Sequence, residues 1–390
     1  MEKSIIMVSS NFQIRKDLFH MKKKTLAILL STVMAFSLLT ACGDSDEVTA
    51  SVATETTEET ASTENTSTEP ATEPIVEENH DGMYRSELTN EWIDEALQNQ
   101  RPVAVLVDNE KTALDHYGLT QADIVYELMN STANGEITRF MALVKDYASI
   151  TRFGSIRSVR PTHFMLAPEY NAILIHDGGP FYINPYLSNP WIDNLSGGFA
   201  RIENGKPREF TEYVTNGEIE SRMKANKIDV EYNEYYRGAH WLFADEKNPV
   251  DLSTAKDSKD CTFIDLPFPH NESELEYDKA TNTYLYSEYG EPHIDLENDN
   301  KQLAFTNVIL QSAEVVQLDA NGYMEFKVFQ QSGEGYYITG GKAIPVTWEK
   351  GIDIEPTKFY DMSGKEITLN TGKTYVGMVS TERWDELVLK

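Results

Sequence analysis

The chain has 390 residues, enough for two domains of ordinary size. A hydrophobic fraction of 40% supports a buried core, but 34 basic against 63 acidic residues give a formal charge of -29, which excludes the basic footprint of a general nucleic-acid binder. Two cysteines, Cys42 and Cys261, can build neither a zinc ribbon nor a disulfide framework.

The N-terminus reads as an address. Lys22, Lys23 and Lys24 precede an uncharged apolar run from Thr25 to Leu39, too short for a membrane span but suited to a signal-peptide core. Leu39-Thr-Ala-Cys42 closes it as a lipobox, so cleavage before Cys42 and lipidation of its thiol are expected. Residues 1–41 are therefore expected as signal peptide, with Met21 as the true start. Residues 42–84 follow as a linker rich in Thr, Glu and Ser, with no Lys or Arg. Such a segment cannot bury enough apolar surface to offset its ordering entropy, so disorder is expected. The expected location is the outer face of the cytoplasmic membrane, held there by a palmitate-type anchor. The body alone still carries a formal charge of -21, so an anion site in it requires a local concentration of arginines.

Residues 85–270 are expected as an α/β or α+β domain with a mixed sheet. Arg101–Asp108 is a Val-rich buried strand, and Leu119–Asp123 a short helical turn with Thr120 as cap. Ile124–Met129 and Glu136–Val144 flank Asn130-Ser-Thr-Ala-Asn-Gly135, the signature of an antiparallel pair. Pro161 opens a helix, Asn171–Ile175 is a further buried strand, and Phe210, Tyr213, Val214 and Ile219 have helical spacing over 208–226. Residues 271–390 are expected as a small β-rich domain, a sandwich or barrel, from short strands punctuated by Asn321-Gly322 and Gly340-Gly341. Cys261, beside Thr262, Phe263 and Ile264, is expected to be buried and inert.

The densest polar cluster is Arg157-Ser158-Val159-Arg160, ahead of the helix opening at Pro161. Guanidiniums beside helix N-terminal amides suit an anion, and the competing use is salt bridging to the body's many carboxylates. His176-Asp177-Gly178-Gly179 closes the next strand, where α/β sheets hold ligands, with His176 a candidate base and Asp177 its orienting group. Glu127 and Arg139 sit on neighbouring strands as a candidate ion pair, which would position Arg139 toward the same ligand. His293 and Asp295 share a strand face without a third metal ligand, so no metal is expected. Tyr182, Tyr186, Trp191 and Trp241 are candidate sugar platforms, with core packing the competing use. Walker, GxGxxG, HExxH and GxSxG signatures are absent, and no cofactor is expected.

The ordered blocks Arg101-Pro-Val-Ala-Val-Leu-Val-Asp-Asn109, Gly118–Glu127, Gly135–Phe140, Ile156–Arg160 and His176–Gly179 resemble the N-terminal domain of the YerB-like lipoproteins, and Gly335–Ile338, Gly341–Lys350 and Gly364–Lys373 that family's C-terminal domain. Where the family carries an Ala-Pro-His-Asn-like block, this chain has Arg208–Tyr213. The resemblance implies an envelope lipoprotein of unknown function and supplies no reaction. A weaker analogy is to LytR-CpsA-Psr glycopolymer transferases, whose arginines hold pyrophosphate, although their Pro-Arg-Asp turn is missing here. The reading therefore favours a non-enzymatic surface lipoprotein. It binds an anionic cell-wall glycan or lipid-linked phosphate through Arg139, Arg157, Ser158, Arg160, His176 and Asp177. A cell-wall enzyme such as a glycopolymer phosphotransferase is the alternative.

Overall fold

The computed structural model describes residues 80–133 and 135–390. The expected signal peptide, Cys42 and the linker up to residue 79 lie outside the described residues. Regular structure opens with a hairpin, Met83–Arg85 against Trp92–Asp94. It takes in Met83 and Tyr84, the last two residues of the expected linker. The Tyr84 ring lies against the Lys145 ammonium at 5.9 Å, which ties this segment to the body.

Eleven strands form one central mixed sheet. In chain order they are β1 (Val103–Asp108), β2 (Ile124–Met129), β3 (Thr138–Val144), β4 (Ile173–His176), β5 (Asn194–Ser196), β6 (Lys259–Asp260), β7 (Asn307–Ala313), β8 (Gln331–Thr339), β9 (Lys342–Lys350), β10 (Lys358–Asp361) and β11 (Thr374–Ser380). Across the sheet the order is β6-β9-β8-β7-β11-β2-β3-β1-β4-β5, and β10 also pairs with β9. The β2–β3 hairpin has the expected antiparallel register, with Ile124 opposite Leu143 and Met129 opposite Thr138. The C-terminal strands do not close into a separate sandwich or barrel. Instead β11 lies parallel to both β7 and β2 and joins the two halves of the chain edge to edge.

Both faces of this sheet are covered, which is why β1, β2 and β3 are buried along their whole length. Val103, Val105, Val107, Val125, Phe140 and Leu310 face one apolar layer with Ile219, Met223, Leu275 and Phe305. Ala104, Leu106, Tyr126, Met141 and Val376 face the other with Phe164, Leu166, Trp241 and Phe326. A six-stranded sheet containing Phe263–Asp265, Glu274–Asp278 and Thr283–Glu288 supplies part of the first layer.

Helix is sparse. Residues 208–226 are not one helix, because Glu212–Thr215 is a strand antiparallel to Arg152–Gly154, and only Glu218–Asn226 is α-helical. Asn216-Gly217 separates the two, and Gly217 takes the left-handed conformation at φ 71°. Thr120 does not cap its turn. Gly118 holds that position at φ 80°, and a Cβ there would stand 2.5 Å from the Arg152 carbonyl oxygen. Thr120 instead donates its N–H and hydroxyl to Asp295 at 2.9 and 2.6 Å. No helix among the described residues is long and apolar enough to cross a membrane.

Candidate functional site

The segment Ile156–Arg160 runs past the C-terminal ends of β1 and β4. The Arg157 N–H donates to the Leu106 carbonyl, the Asp177 N–H to the Arg157 carbonyl, and the Val159 N–H to the Gly178 carbonyl. Val159 is buried, so its neighbours project the other way, toward a cavity of about 650 Å³. Arg139, Arg157, Ser158 and Arg160 all line it, together with Asp108, Asn130 and Tyr323.

Cross-strand register explains how Arg139 and Asp108 meet, because β3 places Arg139 directly opposite Asp108 of β1. Asp108 Oδ2 lies 3.8 Å from Arg139 Nη2 and also pairs with Arg157 Nε. Arg157 Nη2 reaches the exposed Glu209 carboxylate at 2.9 Å. Arg139 Nη1 donates to the Ser158 carbonyl at 2.8 Å, and Arg160 Nη1 to the Val159 carbonyl at 2.9 Å. With its amide oxygen turned toward the arginines, Asn130 accepts from Arg139 Nη1 at 3.2 Å and Arg160 Nη2 at 3.1 Å. The Arg160 guanidinium also stacks over Tyr323, 4.5 Å from the ring centre.

Two features make the cluster unusual. Arg139 and Arg160 are 4% and 7% exposed, and the Nε of each is buried without a hydrogen-bond partner among the described residues. Salt bridging, the competing use, describes Arg157, which pairs with Asp108 and Glu209, but not Arg160, which has no carboxylate within ion-pair distance among those residues. Burial lowers the Arg139 guanidinium to about 10, with Arg157 adding repulsion against the opposing pull of Asp108. Burial lowers Arg160 further, to about 9, and the neighbouring Arg139 charge adds to the effect.

Of the remaining expected site residues, His176 and Asp177 lie outside the cavity lining. Burial lowers the His176 imidazole below its ordinary value, and its Nδ1 sits 2.9 Å from the Gly178 carbonyl oxygen. Asp177 is half-exposed and faces Arg201 at 3.4 Å. The Ser158 hydroxyl lines the cavity but donates to the Asp177 carbonyl at 2.8 Å. The helix after Pro161 is only His163–Leu166 and presents no anion cradle: its Thr162 Oγ1 accepts from the Phe326 N–H, and His163 Nδ1 from the Arg160 N–H.

Glu127 does not pair with Arg139. It is opposite Phe140, on the other face of the sheet, and accepts from Thr138, Ser273, Tyr286 and Tyr375 at 2.6–3.0 Å. Burial raises this carboxyl to about 7 against those donors. Among the candidate platforms, Trp241 is core, and Tyr182, Tyr186 and Trp191 are outside the cavity lining. Cys261 is buried, and burial raises its thiol to about 12. His116, Glu288 and His293 bring ligand-capable atoms within 4.8 Å of one another. They form a hydrogen-bonded row, Glu288 Oε1 to His293 Nδ1 at 2.7 Å and His293 Nε2 to His116 Nδ1 at 3.3 Å. Asp295 is taken up by backbone N–H groups.

Sequence reasoning missed Asp108, Asn130 and Tyr323. Asp108 carried a signal, since it is the one charge ending an apolar buried strand. Asn130 and Tyr323 sit in turns 193 residues apart, brought together by the bridge between Ser131 and Tyr323.

The chain falls in a class of proteins of unknown activity. The model described as "Protein of unknown function (DUF3048) N-terminal domain" matches residues 88–229, and that of the C-terminal domain matches residues 264–376. The chain belongs to this family, in agreement with the resemblance carried by its ordered blocks. It is similar to "Putative lipoprotein YerB" of Bacillus subtilis (strain 168), with 26% identity over 308 residues covering 76% of this chain and 86% of that protein. The crystal structure of YerB protein from Bacillus subtilis shares the fold, with a TM-score of 0.66 and 22% identity, covering 79% of this chain and 99% of that one.

Proposed function

We propose that this chain is a lipid-anchored surface protein that binds an anionic envelope ligand in the cavity lined by Arg139, Arg157 and Arg160. The observation that carries this reading is the pair of buried guanidiniums, Arg139 and Arg160, lining a cavity in which Asp108 is the one buried carboxylate among the described residues. Holding cations in a low-dielectric wall costs stability unless an anion arrives to share them. The lipobox at Leu39–Cys42 and the lipoprotein name of the Bacillus relative support the anchor. An outward-facing position at the membrane follows from it.

Binding is favoured over phosphotransfer because no hydroxyl lining the cavity is hydrogen-bonded to a histidine, lysine or carboxylate among the described residues. His176, the expected base, lies outside the cavity lining. Ligand specificity toward a cell-wall glycan or a lipid-linked phosphate belongs to the same proposal.

The test is thermal shift of the full chain with phosphate, sulfate and acetate at low ionic strength. A bound anion should raise the melting temperature, because a ligand at 100 times its Kd stabilises by about 2.7 kcal/mol. Arg160→Gln should weaken binding by roughly 10–100-fold, the worth of one charge-assisted hydrogen-bonding group. No stabilisation by any anion sinks the proposal. The anchor has its own test: labelled palmitate should enter the chain and be lost in Cys42→Ser.

A further inference from the structure

The charge balance of the cavity narrows the anion it takes. Arg139 and Arg160 are the buried cations, and Asp108 the buried anion. Arg157 is 26% exposed and is shared between Asp108 and the 52% exposed Glu209, so three guanidiniums face these two carboxylates. The buried wall therefore carries one unbalanced positive charge. A singly charged ligand closes that balance. A doubly charged one leaves a surplus negative charge beside Asp108 and Glu110, where like charges repel in a poorly screened site.

The donors add a second constraint. Arg139 and Arg160 line the cavity with two different guanidiniums. A tetrahedral anion can turn a separate oxygen toward each, whereas a carboxylate has only two oxygens in one plane.

The aromatic lining adds a third. Phe210 stands beside Arg157, 5.5 Å from guanidinium carbon to ring centre, and Tyr323 stacks on Arg160. A cavity of about 650 Å³ is of drug-ligand size, far larger than a bare anion. Its wall thus offers contact to one substituent beside Arg157 and to another beside Arg160.

We infer that the cavity takes a phosphodiester, a single negative charge with a substituent leaving on each side, in preference to a phosphomonoester or a carboxylate. This rests on the anion-binding reading above. A phosphodiester is found both in lipid headgroups and in soluble sugar- or polyol-phosphate chains, and the cavity chemistry is common to them.

The experiment is calorimetric titration of the full chain in neutral detergent with diglycerol phosphate, glycerol 1-phosphate and glucuronate. At pH 7.5 diglycerol phosphate should bind at least tenfold more tightly than the other two. Lowering the pH to 5 should bring glycerol 1-phosphate close to the diester, because a phosphomonoester dianion takes up one proton near pH 6 and becomes singly charged. The diester affinity should not move. Doping the micelles with phosphatidylglycerol separates the sources: competition with the soluble diester supports a lipid headgroup, and its absence supports a soluble chain. Equal or tighter binding of glycerol 1-phosphate or glucuronate at pH 7.5 overturns the phosphodiester assignment and leaves an anion site standing. If no probe binds, or if Arg160→Gln and Arg139→Gln bind the diester as the parent chain does, the anion-binding reading itself falls.

Discussion

Arg160 and Asp108 line the same cavity and should answer mutation in opposite ways. Asp108 is 1% exposed and is, among the described residues, the only buried carboxylate set between Arg139 and Arg157. Asp108→Asn strips both guanidiniums of their shared counter-charge, and we expect a loss of about 3–5 kcal/mol by denaturant unfolding. Arg160 has no such partner among the described residues, and its burial is a cost that the Tyr323 stack and two carbonyl contacts only partly offset. Arg160→Met should therefore leave the melting temperature unchanged or higher while abolishing anion binding. A large loss of stability in that variant would mark Arg160 as a structural group. Glu288 offers a pH test. Burial raises its carboxyl to about 8, and its Oε2 has no partner among the described residues. Because the folded value lies above the unfolded one, the folded state binds more protons between them, and stability falls as pH rises toward 8. His116 and His293, lowered to about 3 and about 4 by burial, act in the opposite sense only below pH 6.5. Between pH 7 and 8.5 the melting temperature should thus drop, and Glu288→Gln should flatten that slope.

Elements were legible where their signal was local. The β2–β3 hairpin announced itself through alternating apolar strands around a turn ending in Asn134-Gly135. Arg157 and Arg160 stood out because two arginines lie close together in an acidic chain. Glu212–Thr215 was misread because Phe210, Tyr213, Val214 and Ile219 fit a helical stripe, and only pairing with Phe153 and Gly154 makes Tyr213 and Val214 strand residues. Strand β11 was not foreseen: Tyr-Val-Gly-Met-Val contains a glycine, and its burial comes from partners 65 or more residues away in the chain. The same long-range pairing hid the role of Asp108. Gly335 in β8 gives an element-scale prediction. A Cβ there would lie 2.4 Å from the Leu310 carbonyl oxygen of β7, a backbone atom that cannot swing aside. Gly335→Ala should cost about 1–3 kcal/mol in chemical denaturation through overpacking, without changing the anion preference.

At the scale of the molecule, the two family segments share one sheet through β11. The described body should therefore unfold in a single cooperative transition, seen as coincident loss of far-ultraviolet and tryptophan signals. A fragment ending at residue 270 would expose the β2 edge, Ile124–Met129, where β11 normally sits. We expect that fragment to aggregate or give a collapsed amide spectrum. A well-dispersed spectrum would show that β11 is dispensable. The position of β11 also sets an order of events. A ribosome or export channel releases the chain from its N-terminus, so the middle of the sheet is filled only after its neighbours β2 and β7 have both emerged. Completion of the sheet must wait for residues 374–380, and a product stopped before them carries two sticky flanks where a seam should be, a defect that cellular quality control can detect.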